Sequence, residues 1–263
     1  MSTDDGAVTR DPWQDWRAAT PARLALGRAG AGMPTDETLR FGWAHAMARD
    51  AIHAALDVDR LDAALRADGW EVEHARSQAP DRTTYLRRPD LGRRLDEAEA
   101  ERLRASARPA EVSVVIGDGL SSLAVDRHAA PLLAALRPLL PASTVFAPVV
   151  VATQARVALA DGVGEIYDAR LAVMLIGERP GLSSPDSLGI YLTHSPRVGR
   201  HDAERNCISN VRPEGLSYEL AAFKLAWLMR EALRLGATGV SLKDESDLAV
   251  LDLGDASAPL PPP

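Results

Sequence analysis

Val112-Ser113-Val114-Val115-Ile116-Gly117-Asp118-Gly119-Leu120-Ser121 is the stretch whose reading decides the fold: an apolar run that stops at two glycines and an aspartate and then enters a helical pattern. A continuous apolar run is the mark of a strand with helices on both faces, since neither face meets water. Working toward the C-terminus, Val145-Phe146-Ala147-Pro148-Val149-Val150-Val151 and Leu171-Ala172-Val173-Met174-Leu175-Ile176 repeat the pattern, and Leu188-Gly189-Ile190-Tyr191-Leu192 adds a fourth segment. With helical spacing between them, these runs predict an α/β domain with a parallel sheet over residues 109–250. Pro148 cannot donate a ladder hydrogen bond, which puts its strand near an edge or gives it a bulge. A helix from about Ser217 to Leu235 follows, with Leu220, Phe223 and Trp227 on one stripe and Gly236 at its end.

Toward the N-terminus the rhythm is helical. Thr35 can cap a helix whose first turn carries Asp36 and Glu37, and a second helix runs through Arg93-Arg94-Leu95-Asp96-Glu97-Ala98. Residues 23–108 are therefore expected to form a smaller helical N-terminal domain. Residues 1–22 read as a flexible stub, and residues 251–263, which end Ala-Pro-Leu-Pro-Pro-Pro, as a disordered tail.

The chain has 263 residues, 46% of them hydrophobic, enough for a sizeable core. Its 37 acidic residues outweigh 30 basic ones for a net charge of -7, so neither nucleic acid nor an anionic membrane is an expected partner. Lys224 and Lys243 are the only lysines, a bias ascribed first to genome composition. A lone cysteine, Cys207, excludes an internal disulfide and fits a reducing cytoplasm. No apolar stretch approaches the roughly 20 residues that span a bilayer, and no secretory signal is visible, so a cytoplasmic location is expected.

If the sheet is open and parallel, ligands belong beyond the carboxyl ends of its strands. Two turns stand there, Gly117-Asp118-Gly119-Leu120-Ser121 and Gly177-Glu178-Arg179-Pro180-Gly181. The first has the setting of a dinucleotide fingerprint, yet Ser122 replaces its third glycine and no acidic residue follows about 20 positions later to bind a ribose. Tight strand-to-helix turns use glycine in any case. The second turn presents a carboxylate and a guanidinium, which suits a ligand crevice and an internal Glu178–Arg179 ion pair equally. Cys207, with His194 and His201 upstream, lacks the close spacing of a zinc site and reads by default as a small buried thiol. Arg87, Arg88, Arg93 and Arg94 crowd one segment, and Arg93 and Arg94 fall in a predicted first turn, where positive charge opposes the dipole. Asp90 and Asp96, or acidic groups on a partner, would balance them. No nucleophile elbow, P-loop or His-Glu-x-x-His occurs.

Four strings, in order and spacing, resemble the small subunit of ethanolamine ammonia-lyase: Leu86-Arg87-Arg88-Pro89-Asp90-Leu91-Gly92-Arg93-Arg94-Leu95, Ile116-Gly117-Asp118-Gly119-Leu120-Ser121, Ile176-Gly177-Glu178-Arg179-Pro180-Gly181-Leu182, and Asp202-Ala203-Glu204-Arg205-Asn206-Cys207-Ile208-Ser209-Asn210. The likeness runs from about Arg23 to Asp244. It implies a helical N-terminal part followed by a Rossmann-like α/β domain, adenosylcobalamin held between this chain and a large barrel-shaped subunit that carries ethanolamine, and a hetero-oligomer with six copies of each subunit. Carried over residue by residue, the cobalamin contacts fall on Val157, Glu178 and Cys207. The resemblance implies that an adenosyl radical takes hydrogen from the carbinol carbon, after which the amino group migrates and ammonia leaves, yielding acetaldehyde. No catalytic acid, base, nucleophile or metal ligand is assigned to this chain, since the cofactor carries the chemistry. In the family, cobalamin keeps its own dimethylbenzimidazole on cobalt. This agrees with Asp126-Arg127-His128, where Pro131 occupies the glycine position of the Asp-x-His-x-x-Gly motif that replaces that base elsewhere. Some relatives have a longer N-terminal extension linked to a bacterial microcompartment, but only a short acidic stub precedes Trp13 here. A scaffold with little cofactor contact and a free-standing dinucleotide enzyme are the alternative readings.

Overall fold

The computed structural model describes residues 8–247; the expected disordered tail and the first residues of the expected stub lie outside that range. A six-stranded sheet in the order β1-β3-β2-β4-β5-β6 forms its centre. In chain order the elements are α1 (Thr35–His53), α2 (Val58–Ala67), β1 (Val72–Arg76), α3 (Arg82–Arg87), α4 (Pro89–Gly92), α5 (Glu97–Ser106), β2 (Val112–Gly117), α6 (Ser122–Leu136), β3 (Val149–Thr153), α7 (Leu159–Ile166), β4 (Leu171–Gly177), β5 (Leu188–His194), β6 (Arg205–Val211) and α8 (Tyr218–Leu235). Every residue of β2 and β4 is buried, as their unbroken apolar runs require.

Alternate side chains of the strands feed two cores. On one face Val114, Ile116, Val151, Val173 and Ile190 pack under α2, α6 and α8. On the other, Val115, Val150, Ala172, Met174 and Ile176 pack with Leu103 of α5 and Leu159 and Val163 of α7. The buried stripe of α8 is Ala221, Ala222, Leu225, Leu228, Met229 and Ala232. The predicted stripe is only partly inward: Leu220 is exposed and Phe223 half-buried, while Trp227, also half-buried, packs against the edge of the core. Ser217 caps α8 through Leu220 N (3.3 Å), and Gly236 ends it at φ 71°.

The sheet departs from the expected parallel arrangement. Strands β1, β3, β2 and β4 are parallel, whereas β5 runs antiparallel to β4, and β6 antiparallel to β5. Residues 178–187 are too few for a crossover, which takes about a dozen residues or more, so the chain turns back as a hairpin. Nor is the segment 23–108 purely helical, since β1 pairs with β3 from Val72↔Val149 to Arg76↔Thr153 and forms one edge of the sheet. Glu73, His74 and Arg76 make that edge polar, which hides its strand character in the sequence. The second predicted apolar strand starts at Val149 rather than Val145 because Pro148 interrupts the ladder. Arg93 and Arg94 lie between α4 and α5, and Asp96, not Thr35, caps a helix with its side chain, accepting from Ala98 N at 3.1 Å.

Candidate functional site

In an open α/β sheet the ligand crevice lies where neighbouring connections leave for opposite faces. Here that place is between β2, which leads to α6, and β3, which leads to α7. The chain fills it with its own groups. Asp118 is buried and accepts from Gln154 N and Ala155 N, both at 2.9 Å. Arg82 closes over it, with Nη1 3.5 Å from Asp118 Oδ2 and donating to Gly119 O at 2.8 Å, while Nε donates to Ile52 O at 2.7 Å. A Cβ on Gly119, at φ 57°, would overlap the Gly177 carbonyl, and one on Gly177 would overlap that of Ser121. These glycines therefore let the β2–α6 turn press against the end of β4. Ser122 donates to Ala54 O (2.8 Å). The turn that resembles a dinucleotide fingerprint is a packing device.

The open surface lies elsewhere. Helices α5 and α7 cover one face of the sheet over β2, β3 and β4, but β5 and β6 extend beyond them. On this face the register aligns Met174 with Tyr191 and Tyr191 with Cys207. Tyr191 is half-buried and Cys207 is exposed. The neighbouring row, Ala172–Thr193–Arg205, is sealed: Arg205 Nη1 stands 2.8 Å from Asp161 Oδ1 on α7, and each of these side chains is only 2% exposed. Burial pushes Asp161 up to about 6 against the pull of Arg205.

Glu178 reaches the same face one row further along. A Cβ at Gly189, the residue paired with Ile176, would stand 3.0 Å from Glu178 Oε1 and 3.1 Å from its Cγ, so the carboxylate lies over the glycine. The ladder shifts register between Leu188↔Val211 and Ile190↔Ile208, so Ser209 and Asn210 bulge opposite Gly189. Asn210 takes the left-handed conformation, φ 60°, and its freed N–H donates to Glu178 Oε2 at 3.2 Å. Ser187 Oγ donates to the same oxygen, and Glu178 N donates to Ser187 O at 2.9 Å. The partners of the carboxylate are thus Ser187 and Asn210 rather than Arg179, while Oε1 accepts no hydrogen bond from the described residues.

The hairpin between β4 and β5 that carries Glu178 is pinned at several points. Ser121 Oγ donates to Pro185 O (2.8 Å), Arg127 Nη1 to Asp186 Oδ2 (2.8 Å), and Arg23 Nη2 to Leu182 O (3.0 Å). His128 is buried, 2.8 Å from Tyr218 OH through Nδ1 and 3.4 Å from Asp186 Oδ2 through Nε2.

Of the three residues proposed from sequence, Glu178 and Cys207 come together on this one face. Val157 sits in the loop between β3 and α7, half-buried against the core that also receives Tyr191. Cys207 is not the small buried thiol that its sequence suggested. Even so, desolvation pushes its thiol above the ordinary value, more than Tyr191 pulls it down, and the charge of Glu178 adds to the rise. Tyr191 is shifted upward by desolvation too, with a smaller push from Cys207. Among the described residues, no group of three or more His, Cys, Asp or Glu could hold a metal ion. The arginine cluster is answered within the chain in part, by Arg88–Asp90 (2.7 Å) and Arg93–Asp202 (3.3 Å). Sequence reasoning missed Ser187, Gly189, Tyr191 and Asn210. The alternation in β5 marks Gly189 and Tyr191 as sharing a face, but only the register shows what lies beside them.

Comparison with known proteins adds a consistent set of relatives. A family model of the ethanolamine ammonia-lyase light chain (EutC) matches residues 10–243. The chain is 55% identical over 262 residues to the ethanolamine ammonia-lyase small subunit of Azotobacter vinelandii, covering 98% of this chain and 97% of that one. It is 58% identical over 245 residues to the protein of the same name from Bradyrhizobium diazoefficiens, with 92% and 94% covered.

Proposed function

The chain belongs to the ethanolamine ammonia-lyase light-chain family, and from that premise we propose that the open face of β5 and β6 forms one wall of the enzyme's cobalamin site. As a small subunit it works in a carbon–nitrogen lyase together with a large subunit. The finer reading places adenosylcobalamin between the two, with ethanolamine on the large subunit and six copies of each chain in the assembly.

The observation that carries this reading is the convergence of Glu178 and Cys207 on a stretch of sheet that α5 and α7 leave open among the described residues. The residues present suit a corrin. The macrocycle is a broad apolar disc, and Tyr191 and Cys207 offer it a pleated surface bounded by the Glu178 carboxylate and the Ser209–Asn210 bulge. Its rim bears amide arms whose N–H groups donate, and Glu178 Oε1 is an acceptor left free for such a donor. Val157, in the neighbouring loop, would add apolar contact. Adenosylcobalamin, when bound, supplies the radical chemistry of the deamination. This chain's residues bind and orient the group and keep water from one side of it.

The test is cyanocobalamin binding, measured by absorbance titration of the assembled complex. Glu178→Ala is expected to weaken binding about tenfold or more, as loss of a hydrogen bond to a charged group implies, and Cys207→Trp to weaken it by steric obstruction. Unchanged affinity in an intact complex bearing either substitution would instead identify a scaffold. The isolated chain is expected to release no acetaldehyde from ethanolamine and cofactor, and co-purification with the large subunit to restore release.

A further inference from the structure

We propose that Ser187 is a positioning residue, whose hydroxyl holds one oxygen of Glu178 inward so that the other is presented to the corrin rim. This inference rests on the reading of Glu178 as a cofactor contact and deepens it.

Ser187 is the last residue before β5 and stands directly opposite Glu178 in the hairpin, so the backbone bond from Glu178 N to Ser187 O (2.9 Å) brings the two side chains together. Ser187 itself is buried, at 6% exposure, and its hydroxyl goes to Glu178 Oε2. The second donor to that oxygen, Asn210 N, depends on the bulge in β6 and on the left-handed backbone of Asn210. Two donors fixed by separate elements thus meet on Oε2, while Oε1 lies above Gly189, where the lack of a side chain leaves it room. A half-exposed glutamate has several accessible rotamers, and fixing it before the ligand arrives removes ordering entropy from the binding step. The hairpin is anchored separately, by Ser121, Arg127 and Arg23, so the Ser187 hydroxyl is free to serve the carboxylate rather than the loop.

A double-substitution cycle in the assembled enzyme tests this, with cyanocobalamin affinity as the first readout. Ser187→Ala is expected to weaken binding about fivefold to tenfold in the native background and to have no further effect once Glu178→Ala is present. The second readout is the KM for ethanolamine, held on the large subunit, which is expected to stay unchanged while the apparent KM for adenosylcobalamin rises. An equal loss in both backgrounds would overturn the proposal, because Ser187 would then act without Glu178. So would full affinity in Ser187→Ala alongside weakened affinity in Glu178→Ala. Unchanged affinity in Glu178→Ala alone would overturn the underlying cofactor reading instead, so the two failures are distinguishable.

Discussion

At the scale of single residues, the glycines of the strand-end turns are set by distance rather than by a ligand. Gly119 combines a left-handed backbone with a carbonyl where its Cβ would sit, so Gly119→Ala carries strain and overlap together. The expected cost is at least about 2 kcal/mol in unfolding free energy, measured by urea denaturation; a loss under about 0.5 kcal/mol would show that the turn can relax. Gly189 differs, since the neighbour of its missing side chain is the Glu178 side chain rather than backbone. The sequence displayed both glycines, but a string of letters does not say whether backbone, side chain or ligand fills the place of a Cβ. That is why the sequence could reject a dinucleotide site at Gly117-x-Gly119 on its missing third glycine, yet could not show what Gly189 leaves room for.

At the scale of elements, the buried parallel strands β2 and β4 were legible because a strand covered on both faces must be apolar throughout. Strands β1 and β6 were not. Val72-Glu73-His74-Ala75-Arg76 and Arg205-Asn206-Cys207-Ile208-Ser209-Asn210-Val211 lie at the two edges, where half or more of the side chains meet water, and their polar content hides the strand pattern, so that the first reads as part of a helical domain. Since β6 carries Cys207 and the bulge, the candidate site was legible as a set of residues and not as a surface. The elements are tied together by groups the site does not use. His128 on α6 meets Tyr218 on α8 and Asp186 in the hairpin. Burial holds its imidazole below the ordinary value, against the opposing pull of Asp186. The unfolded chain therefore binds a proton more readily than the folded one, and the stability linked to His128 is fully present above about pH 6.5. It is lost as pH falls from there through the folded value, with a slope of up to about 1.4 kcal/mol per pH unit. His128→Gln is expected to flatten the fall in unfolding free energy between about pH 6.5 and 5, and identical pH profiles for the two proteins would contradict the assignment.

At the scale of the whole molecule, the sheet is longer than its helical cover. On one face β5 and β6 share the core with β2, β3 and β4 under α6 and α8, while on the other they extend past α5 and α7. A small subunit needs such a surface if it is to share a cofactor with a partner, because a crevice closed by Asp118 and Arg82 offers none. Among the described residues no helix is long and apolar enough to cross a membrane. The most direct test is a structure of the assembled enzyme with cyanocobalamin bound. The expected result is a corrin in van der Waals contact with Cys207 and a corrin amide within hydrogen-bond reach of Glu178 Oε1. A corrin seated away from β5 and β6, with Glu178 and Cys207 facing solvent or the large subunit alone, would contradict the account.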